Sequence, residues 1–510
     1  MIEGIVVSLS KNDKIFLGVL FVVSFLIRAF VYQMYIRQDQ RYWQVDSATY
    51  HRVATSIAQG HGISLPNGQP NFYRLPGYPV FIAFFYKLWG NDPEKALWAQ
   101  VVLASCIPLL IFLLAGVIFP RRRWLAYGAG VLSALHLGLV LYSSFFMTES
   151  LFIFLFLCFC LYFFAAVHLW FCDEKELAPI VQCHGTAPVW RWMPEGAAAV
   201  PSYEKFYERL QYGKEMSCAP CRGNPQTQYL FIAGIFLGLS SLVRPVGHYM
   251  LAVALCMLLC SRGTWTARIR GSCAVSSAWL LMVAAWLIRN YMLLGHLFFH
   301  TLPGGHFLYL SAARVAMHPQ QCSYQQARNN LAREVHDLIA HQEHDEGHTL
   351  NEIERCYAHE AVARHYFISY PFITLKTWLT DMTRTSLSLY SSELVFLESG
   401  RVEYDYFAKN RTWWDMFKRY LMSNTTNMCL RAIVYGEIII FFLILLGFMI
   451  GFLSMLCGRY SRAATCSCLR MLPFMTLFII VALSGGYARM RLPIEPLLLI
   501  CSLYGWLIHD

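Results

Sequence analysis

Charged residues are scarce in this chain. They make up 14% of its 510 residues, whereas soluble domains carry about 25%. Hydrophobic residues reach 57% and form several runs long enough to cross a bilayer as helices. A soluble protein with buried helices is the alternative, and the number and length of these runs argue against it. We therefore predict an all-α integral membrane protein.

Other common features are also missing. No internal repeat or low-complexity tract is evident, and the 17 cysteines are too scattered to form a disulfide framework. No cleavable signal pattern precedes the first apolar run, so we expect that run to remain as a span. The net charge of +10 lies largely in short loops, where the positive-inside rule accounts for it. No nucleic acid partner is expected.

Apolar runs separated by basic loops predict about ten transmembrane helices, with both termini inside. The spans are residues 14–35, 96–119, 124–142, 150–171, 229–242, 247–260, 273–288, 435–455, 472–483 and 494–507. The three arginines at 121–123 should be cytoplasmic, so the short apolar segment 79–89 cannot also cross. We interpret it as an interfacial helix. Arg28, inside the first span, should face protein or water.

This topology divides the chain into three parts. Residues 1–300 are predicted to form an N-terminal transmembrane catalytic module, with a first outer loop at 36–93 and a cytoplasmic loop at 172–228. Residues 301–430 form an outer-face region whose first part reads as soluble helices. Residues 431–510 form the C-terminal transmembrane helices.

Asp46 stands just outside the first span, before a predicted helix over residues 47–59. Aspartate is a favoured helix N-cap and Gly60 a favoured helix stop, so capping is one interpretation. The other is a carboxylate at the water–lipid boundary that accepts a proton from an acceptor hydroxyl or amine. The two roles are compatible, since a capping aspartate can still face a cavity.

Glu149 lies at the outer end of the fourth span, where an acid costs less than at mid-membrane. It could be a solvated end residue or a cap partner of Thr148. The functional alternative is a second acid beside Asp46 that orients the acceptor or a metal.

Five arginines lie at outer span ends or on the outer face: Arg74, Arg244, Arg289, Arg489 and Arg491. The positive-inside rule gives them no topogenic role there. Any one of them could be a snorkelling side chain, and anionic lipid headgroups could be their partners. Arginine binds phosphate through several donors, so five at one face point to an anionic partner. A lipid-linked phosphate is the natural candidate in a membrane.

Histidines are concentrated in residues 334–348. His344 and His348 are four residues apart, which would place them on one helix face where they could hold a divalent metal. We favour a solvated helix face for this segment.

Two groups of cysteines leave structural alternatives open. In the inner loop, Cys183 with Cys218 and Cys221 could close a structural zinc site in a reducing compartment. In the outer region, Cys322 and Cys356 could form a disulfide.

Several of these segments resemble the polytopic GT-C glycosyltransferases, near the protein O-mannosyltransferase and lipid A aminoarabinose transferase branch. The first motif comprises Asp46, Tyr50, Ala54, Ile57, Gly60 and Gly62, followed by Arg74, Pro76, Pro79, Leu88, Trp89 and Gly90. The resemblance continues at Thr148 to Phe152, Gly238 to Pro245, Trp286 to Asn290 and Arg489 to Pro493. The resemblance covers residues 14–300 and 430–508, whereas 172–228 and 300–430 match nothing.

The resemblance implies an inverting transfer of a sugar from a polyprenyl- or dolichyl-phosphate donor on the outer face. In it, Asp46 matches the catalytic aspartate, Glu149 an acidic residue at a later span end, and Arg74 a lysine that binds the lipid phosphate. Arg489 and Arg491 match a basic pair before a Leu-Pro. The five arginines are then the predicted donor-phosphate site. Tyr50, Tyr78 and Tyr487, from the same segments, are predicted to line the substrate cavity.

Two positions depart from the family pattern. Ser47 stands where the family often has a second acid, and Tyr73 stands where relatives have a metal-binding acid before the Arg74 position. Both departures argue against a metal, so no cofactor is required. The predicted partners are a polyprenyl-phosphate-linked sugar, membrane lipids, and an acceptor that is a glycan, lipid or protein. A sugar nucleotide is not needed on this face, which agrees with the missing glycine-rich nucleotide motif.

Two other function classes compete with this interpretation. A transporter or flippase of a lipid-linked saccharide would also need cationic groups, but often has repeated halves. A scaffold or receptor predicts no chemical role for Asp46. The compact chain favours a bacterial inner membrane, with the active site on the periplasmic face.

Overall fold

The computed structural model describes residues 9–120, 122–171, 225–261, 264–399, 427–456, 462–481 and 488–506. In these ranges the chain is helical, and apart from an isolated bridge between Ser64 and Pro70 no β-structure occurs. This confirms the predicted all-α class. The predicted cysteine site at 183–221 lies outside the described residues.

Ten helices lie in the described residues from 9 to 261. They are α1 (Lys11–Val31), α2 (Ser47–Ala58), α3 (Gly77–Trp89), α4 (Pro93–Ser105), α5 (Ile107–Ile118), α6 (Arg123–Leu135), α7 (Leu137–Ser144), α8 (Glu149–Phe171), α9 (Pro225–Val243) and α10 (Val246–Leu259). A π-helical turn, Tyr32–Ile36, extends α1, and a short 3₁₀ turn follows at Gln38–Gln40.

The remainder begins with a long helix, followed by the part predicted to lie outside, 301–430, for which we keep the name outer region. Its helices are α11 (Trp265–Leu294), α12 (Leu302–His306), α13 (Ala313–Ala316), α14 (Tyr324–Glu346), α15 (Glu352–Ser369), α16 (Pro371–Leu387), α17 (Ser391–Ser399), α18 (Met428–Leu456), α19 (Arg462–Val481), α20 (Ala488–Arg491) and α21 (Glu495–Trp506). A π-turn at Phe307–Ala312 joins α12 to α13, and a 3₁₀ turn at Leu492–Ile494 joins α20 to α21.

Six helical segments in the described part of the chain are long and apolar enough to cross a bilayer. They are Lys11–Ile36, Pro93–Ile118, Glu149–Val167, Gln226–Val243, Trp265–Leu294 and Met428–Ser454. The bent pair α6–α7 would make a seventh, and Val246–Leu259 and Met471–Ile480 are shorter apolar helices. Each of the ten predicted spans coincides with one helix or, at 96–119 and 124–142, with two successive helices. The predicted count of ten includes the shorter apolar helices and α21.

The predicted third span is broken at His136. Helices α6 and α7 meet there at an angle of 49°, because His136 takes an extended backbone conformation. Its Nδ1 accepts a hydrogen bond from the backbone N–H of Leu139 over 3.4 Å, which caps α7. The apolar run on both sides of His136 hides this break in the sequence.

Arg28 faces protein, as predicted. Its side chain is fully buried and donates to the Ser24 hydroxyl over 2.5 Å and to the carbonyl of Ala134 over 3.5 Å. Since Ala134 precedes the break between α6 and α7, Arg28 links α1 to that irregular point.

Four separate groups of buried apolar side chains occur in the described part of the chain, and two of them are large. The larger one joins the apolar helices of residues 32–258 to those of 430–504. The smaller one lies in the outer region, where Leu308, Ala327, Leu331 and Tyr366 pack around α14 and α15. The outer region therefore has a core of its own.

Helices α18 and α21 approach closely at glycines. A Cβ atom on Gly505 would overlap the carbonyl oxygen of Gly447, and one on Gly451 would lie 3.2 Å from the Cα of Gly505. We expect Gly505→Ala to lower the free energy of unfolding by about 1–3 kcal/mol, the usual cost of overpacking. Thermal unfolding in detergent measures this. Gly436→Ala in α18 is the matched control, because nothing lies within 4 Å of its Cβ position. Equal melting temperatures for the two variants would contradict the close contact.

Candidate functional site

Asp46 occupies the N-cap position of α2 but does not cap it. Its backbone is helical, and its side chain accepts no hydrogen bond from the helix. The carboxylate instead accepts a hydrogen bond from Nη2 of Arg74 over 2.6 Å. About a quarter of the side chain (26%) is exposed. Of the two interpretations offered for Asp46, the capping role is therefore not realised, and the carboxylate is left facing cations and solvent.

Ser47 anchors this loop. It is fully buried, and its hydroxyl donates to the carbonyl of Phe146 over 2.8 Å. The backbone N–H of Phe146 in turn donates to the carbonyl of Tyr42 over 2.9 Å. The loop that carries Asp46 is thus attached to the loop that leads into Glu149.

Arg74 is held in place from two sides. The side chain of Asn71 donates to the carbonyl of Arg74 over 2.9 Å, which closes a tight turn before α3. The guanidinium lies between the rings of Tyr50 and Tyr73, 4.8 Å from each ring centroid. Such cation–π contacts favour a charged group in a partly dehydrated place.

Arg489 approaches Asp46 from the other end of the chain. Its Nη2 lies 3.7 Å from the second carboxylate oxygen of Asp46, and 28% of its side chain is exposed. Burial opposes ionisation of Asp46, but Arg489 and Arg74 outweigh it and hold the pKa of this carboxyl below its usual value. Asp46 is therefore a carboxylate at neutral pH.

Glu149 and Arg244 form a second ion pair next to the first. Nη1 of Arg244 lies 3.0 Å from Oε1 of Glu149, and the glutamate side chain is only 1% exposed. Nη2 of Arg244 contacts the sulfur of Met490, the neighbour of Arg489, over 3.6 Å. Glu149 begins α8 and Arg244 follows the end of α9, positions that favour their charges next to the helix dipoles.

Among the nearby acids, Glu149 also raises the pKa of Arg489 the most. We refer to Asp46, Arg74, Glu149, Arg244 and Arg489 as the arginine–carboxylate cluster. The structure brings together both predicted acids and three of the five predicted arginines.

The other two predicted arginines lie elsewhere. Arg289 donates to the carbonyls of Asn71 over 3.2 Å and Ile63 over 3.0 Å, and so supports the loop before Arg74. Arg491 is paired with the buried Glu495 at 2.5 Å. Arg489 and Arg491 are two residues apart on a helical turn, so their side chains point in nearly opposite directions.

The predicted cavity tyrosines differ in position. The ring of Tyr50 contacts Arg74 and lies 5.1 Å from the ring of Tyr78. Tyr78 is fully buried and its hydroxyl donates to Gln100 over 2.8 Å, so it supports Tyr50 from behind and does not line an open surface. Tyr487 lies outside the described residues.

Sequence reasoning missed two polar residues beside the cluster. Glu393 of α17 accepts a hydrogen bond from the hydroxyl of Tyr142 over 2.9 Å, and its negative charge raises the pKa of Arg489. His306, the last residue of α12, lowers the pKa of Asp46. Both belong to the outer region, where no sequence motif drew attention to them.

The histidine pair predicted to share a helix face does not do so. Helix α14 ends at Glu346, and Gly347 follows in a left-handed conformation with φ of 69°. His348 therefore lies beyond the helix that carries His344. In the described ranges, no three His, Cys, Asp or Glu side chains are arranged to hold a metal ion.

The cysteines of the outer region are not paired. Cys322 and Cys356 are both free thiols. Cys356 is buried, and its sulfur lies 3.3 Å from the carbonyl oxygen of Thr301.

Comparison with known proteins finds only distant similarity. No protein-family model matches the chain, and no protein of curated function matches it by sequence. Among solved structures it is similar to the oligosaccharyltransferase AglB of Archaeoglobus fulgidus in complex with an inhibitory peptide and a dolichol-phosphate, at 13% identity and a TM-score of 0.47. That match covers 97% of this chain and 50% of the other. The chain thus spans about half the length of that oligosaccharyltransferase.

A second similar structure is ArnT of Cupriavidus metallidurans bound to undecaprenyl phosphate. Its identity is 12% and its TM-score 0.36, and the match covers 96% of this chain and 77% of ArnT. Similarities this distant do not assign a family or an activity.

Proposed function

We propose that this chain is a membrane glycosyltransferase that moves a sugar from a polyprenyl-phosphate or dolichyl-phosphate donor to an acceptor on the outer face, with Asp46 as the general base. The bacterial inner membrane, with the site facing the periplasm, is the proposed location. The observation that carries the proposal is the placement of a partly exposed, ionised Asp46 beside Arg489. Among the described residues, Arg489 makes no hydrogen bond; its Nε is buried, so the terminal Nη groups are the donors that could bind a phosphate.

The chemistry of such a donor suits this arrangement. As the bond between the sugar and the phosphate breaks, the leaving phosphate gains negative charge, and fixed guanidinium groups stabilise that charge. Arg489 and Arg74 both lie beside Asp46, at 3.7 and 2.6 Å. The base that assists formation of the new bond therefore lies next to the guanidinium groups that stabilise the leaving phosphate.

The difference in exposure between the two acids supports inversion. A retaining enzyme uses two carboxyl groups flanking the bond, one as a nucleophile and one as an acid and then a base. Glu149 is 1% exposed and paired with Arg244, whereas Asp46 is 26% exposed. With one accessible carboxylate, Asp46 acts as a base on the acceptor, and Glu149 holds Arg244 in position.

The test is an assay of the purified full chain in lipid nanodiscs with a panel of short-chain polyprenyl-phosphate sugars. We expect release of polyprenyl phosphate that depends on an added acceptor for at least one donor. If no donor is turned over, and a lipid-linked saccharide instead crosses the membrane of reconstituted vesicles, the protein is a transporter. If neither happens and Asp46→Asn changes nothing, the scaffold interpretation replaces the proposal.

A further inference from the structure

Arg489 lies on a helix of only one turn. Helix α20 covers Ala488–Arg491 and is followed directly by the 3₁₀ turn Leu492–Ile494. A single helical turn has little stability of its own, because the cost of nucleating it is offset only by the hydrogen bonds of a longer helix. Contacts with the rest of the protein must therefore hold this turn, and they determine where the guanidinium of Arg489 lies relative to Asp46.

Arg491, the last residue of the same turn, supplies several of these contacts. Its side chain is buried, and its Nε donates to Oε1 of Glu495 in α21 over 2.5 Å. Its Nη1 donates to the carbonyls of Thr385 over 3.0 Å and Ser386 over 2.6 Å, in the last turn of α16, where the helix dipole favours a cation. The guanidinium also lies 4.5 Å from the ring centroid of Phe441 in α18. Arg491 thus joins α20 to α16, α18 and α21.

The carboxylate that pairs with Arg491 is itself held from other elements. Oε1 of Glu495 accepts a second hydrogen bond, from the hydroxyl of Tyr390, over 3.0 Å. Oε2 of Glu495 lies 3.6 Å from Nε2 of His136, the residue at which the third predicted span is broken. The backbone N–H of Tyr390 donates to Oε1 of Glu437 in α18 over 2.6 Å. We refer to Arg491, Glu495, Tyr390, His136 and Glu437 as the Arg491 network.

The other attachment of this turn to the cluster is weaker. It is the contact of the Met490 sulfur with Nη2 of Arg244 over 3.6 Å, and a thioether is only a weak acceptor. The hydrogen bond between Arg491 and Glu495 joins two charged groups and is correspondingly strong. Arg489 itself makes no hydrogen bond in the described ranges, so the charge-assisted support of its turn comes from the neighbour two residues away.

We propose that Arg491 is a positioning residue for the phosphate site. Paired with Glu495, it holds the turn from which Arg489 reaches the phosphate of the donor. The inference rests on the proposed transferase function. Hydrogen bonds weaken steeply as their distance and angle depart from the optimum, so a small displacement of α20 would weaken the grip of Arg489 on phosphate. Arg491 therefore acts on the phosphate through Arg489 and does not touch it.

The test is Arg491→Gln in the full chain in lipid nanodiscs, with a short-chain polyprenyl phosphate titrated by calorimetry. We expect the affinity to fall about 30-fold, less than the ~100-fold expected when the hydrogen bonds of Arg489 are removed outright. The double variant Arg489→Gln/Arg491→Gln should bind as Arg489→Gln does, within about twofold, because two residues that act through one contact are not additive. A merely structural role predicts that the two losses multiply.

A second variant separates positioning from the cost of an unpaired charge. Arg491→Gln leaves Glu495 buried without its cation, which is destabilising in itself. Arg491→Met combined with Glu495→Gln removes both charges and keeps an amide oxygen for the hydroxyl of Tyr390. Replacing a buried ion pair by uncharged groups is often neutral for stability, so thermal unfolding should resemble that of the wild type. The affinity for the lipid phosphate should still fall, as it does in Arg491→Gln.

Arg314→Gln is the matched control. Arg314 is also a buried arginine, and its Nη2 donates to the buried carboxylate of Asp381 over 2.5 Å. This pair joins α13 to α16 and involves no residue of α20. We expect the change to lower the melting temperature, because it too breaks a buried ion pair. The affinity of the folded variant for the lipid phosphate should change less than about twofold.

Four results would overturn the inference. The first is a folded Arg491→Gln with the affinity of the wild type. The second is a double variant in which the two losses multiply. The third is a wild-type affinity in the charge-free variant, which would trace the loss to the unpaired Glu495, and the fourth is an equal loss in Arg314→Gln. Each of these leaves the transferase function standing, whereas a wild-type chain that binds no polyprenyl phosphate and turns over no donor would overturn both.

Discussion

Replacing Asp46 with asparagine is expected to lower kcat for sugar transfer by about 10³-fold, within the range found for general bases. Asparagine keeps the shape of the side chain and can still accept a hydrogen bond from Arg74, which lies 2.6 Å from Asp46. It cannot accept a proton from the acceptor. Donor affinity should rise, because the carboxylate that competes with phosphate for Arg74 and Arg489 has lost its charge. Steady-state kinetics with separate donor titrations measure both effects.

Asp39→Asn is the control for this change. Asp39 lies seven residues earlier on the same loop, its side chain is 81% exposed, and its φ of 53° is one that asparagine adopts readily. The Asp39→Asn change removes the same charge without altering the cluster, and the kcat of this variant should equal that of the wild type. Full transfer activity in Asp46→Asn would show that the base is a different group.

Replacing Arg489 with glutamine is expected to weaken binding of a short-chain polyprenyl phosphate by about 100-fold. Hydrogen bonds to charged groups contribute about 1.5–3 kcal/mol each, and Arg489 has donors that no described residue uses. The same variant should raise the pKa of Asp46, because Arg489 is the larger of the two charges that lower it. Isothermal titration of the lipid phosphate into the protein in nanodiscs gives the affinity.

Arg52→Gln is the control that distinguishes specific binding of phosphate by Arg489 from general electrostatic attraction of phosphate to this face. Arg52 is an exposed arginine of α2, and its side chain donates only to the carbonyl of Ala48 in its own helix. It removes the same charge within a few residues of Asp46, and its affinity for the lipid phosphate should change less than about twofold, as expected for a screened surface charge. Similar losses in both variants would mean that the face attracts phosphate only through its total charge.

The positions of the cluster residues along the chain could be predicted, but the directions of their side chains could not. Asp46, Glu149 and Arg244 stand at ends of apolar segments, and the alternation of basic loops assigns those ends to one face. That reasoning cannot determine the rotation of a helix about its axis. Arg491 therefore points to Glu495, and Arg289 points to the carbonyls of the first outer loop.

The outer region shows a different limit. Glu393 contacts Tyr142 because α17 folds back onto α7, and the amphipathic pattern of short helices does not specify where they dock. The break at His136 was hidden for a related reason. A histidine whose ring caps the following helix cannot be distinguished, in sequence, from one that simply lies within an apolar helix.

The pairing of Asp46 with Arg489 has a consequence for the order in which the protein is made. Asp46 and Arg74 are synthesised together, whereas Arg489 follows much later in the chain. Until then Asp46 has one cationic partner, and the free donors of Arg489 are absent. A partly inserted nascent chain would thus expose a carboxylate without the group that binds phosphate. Insertion of the helices on either side of Arg489 completes the cluster in one step, so on the proposed function a chain not yet translated to that point would not consume lipid-linked sugar.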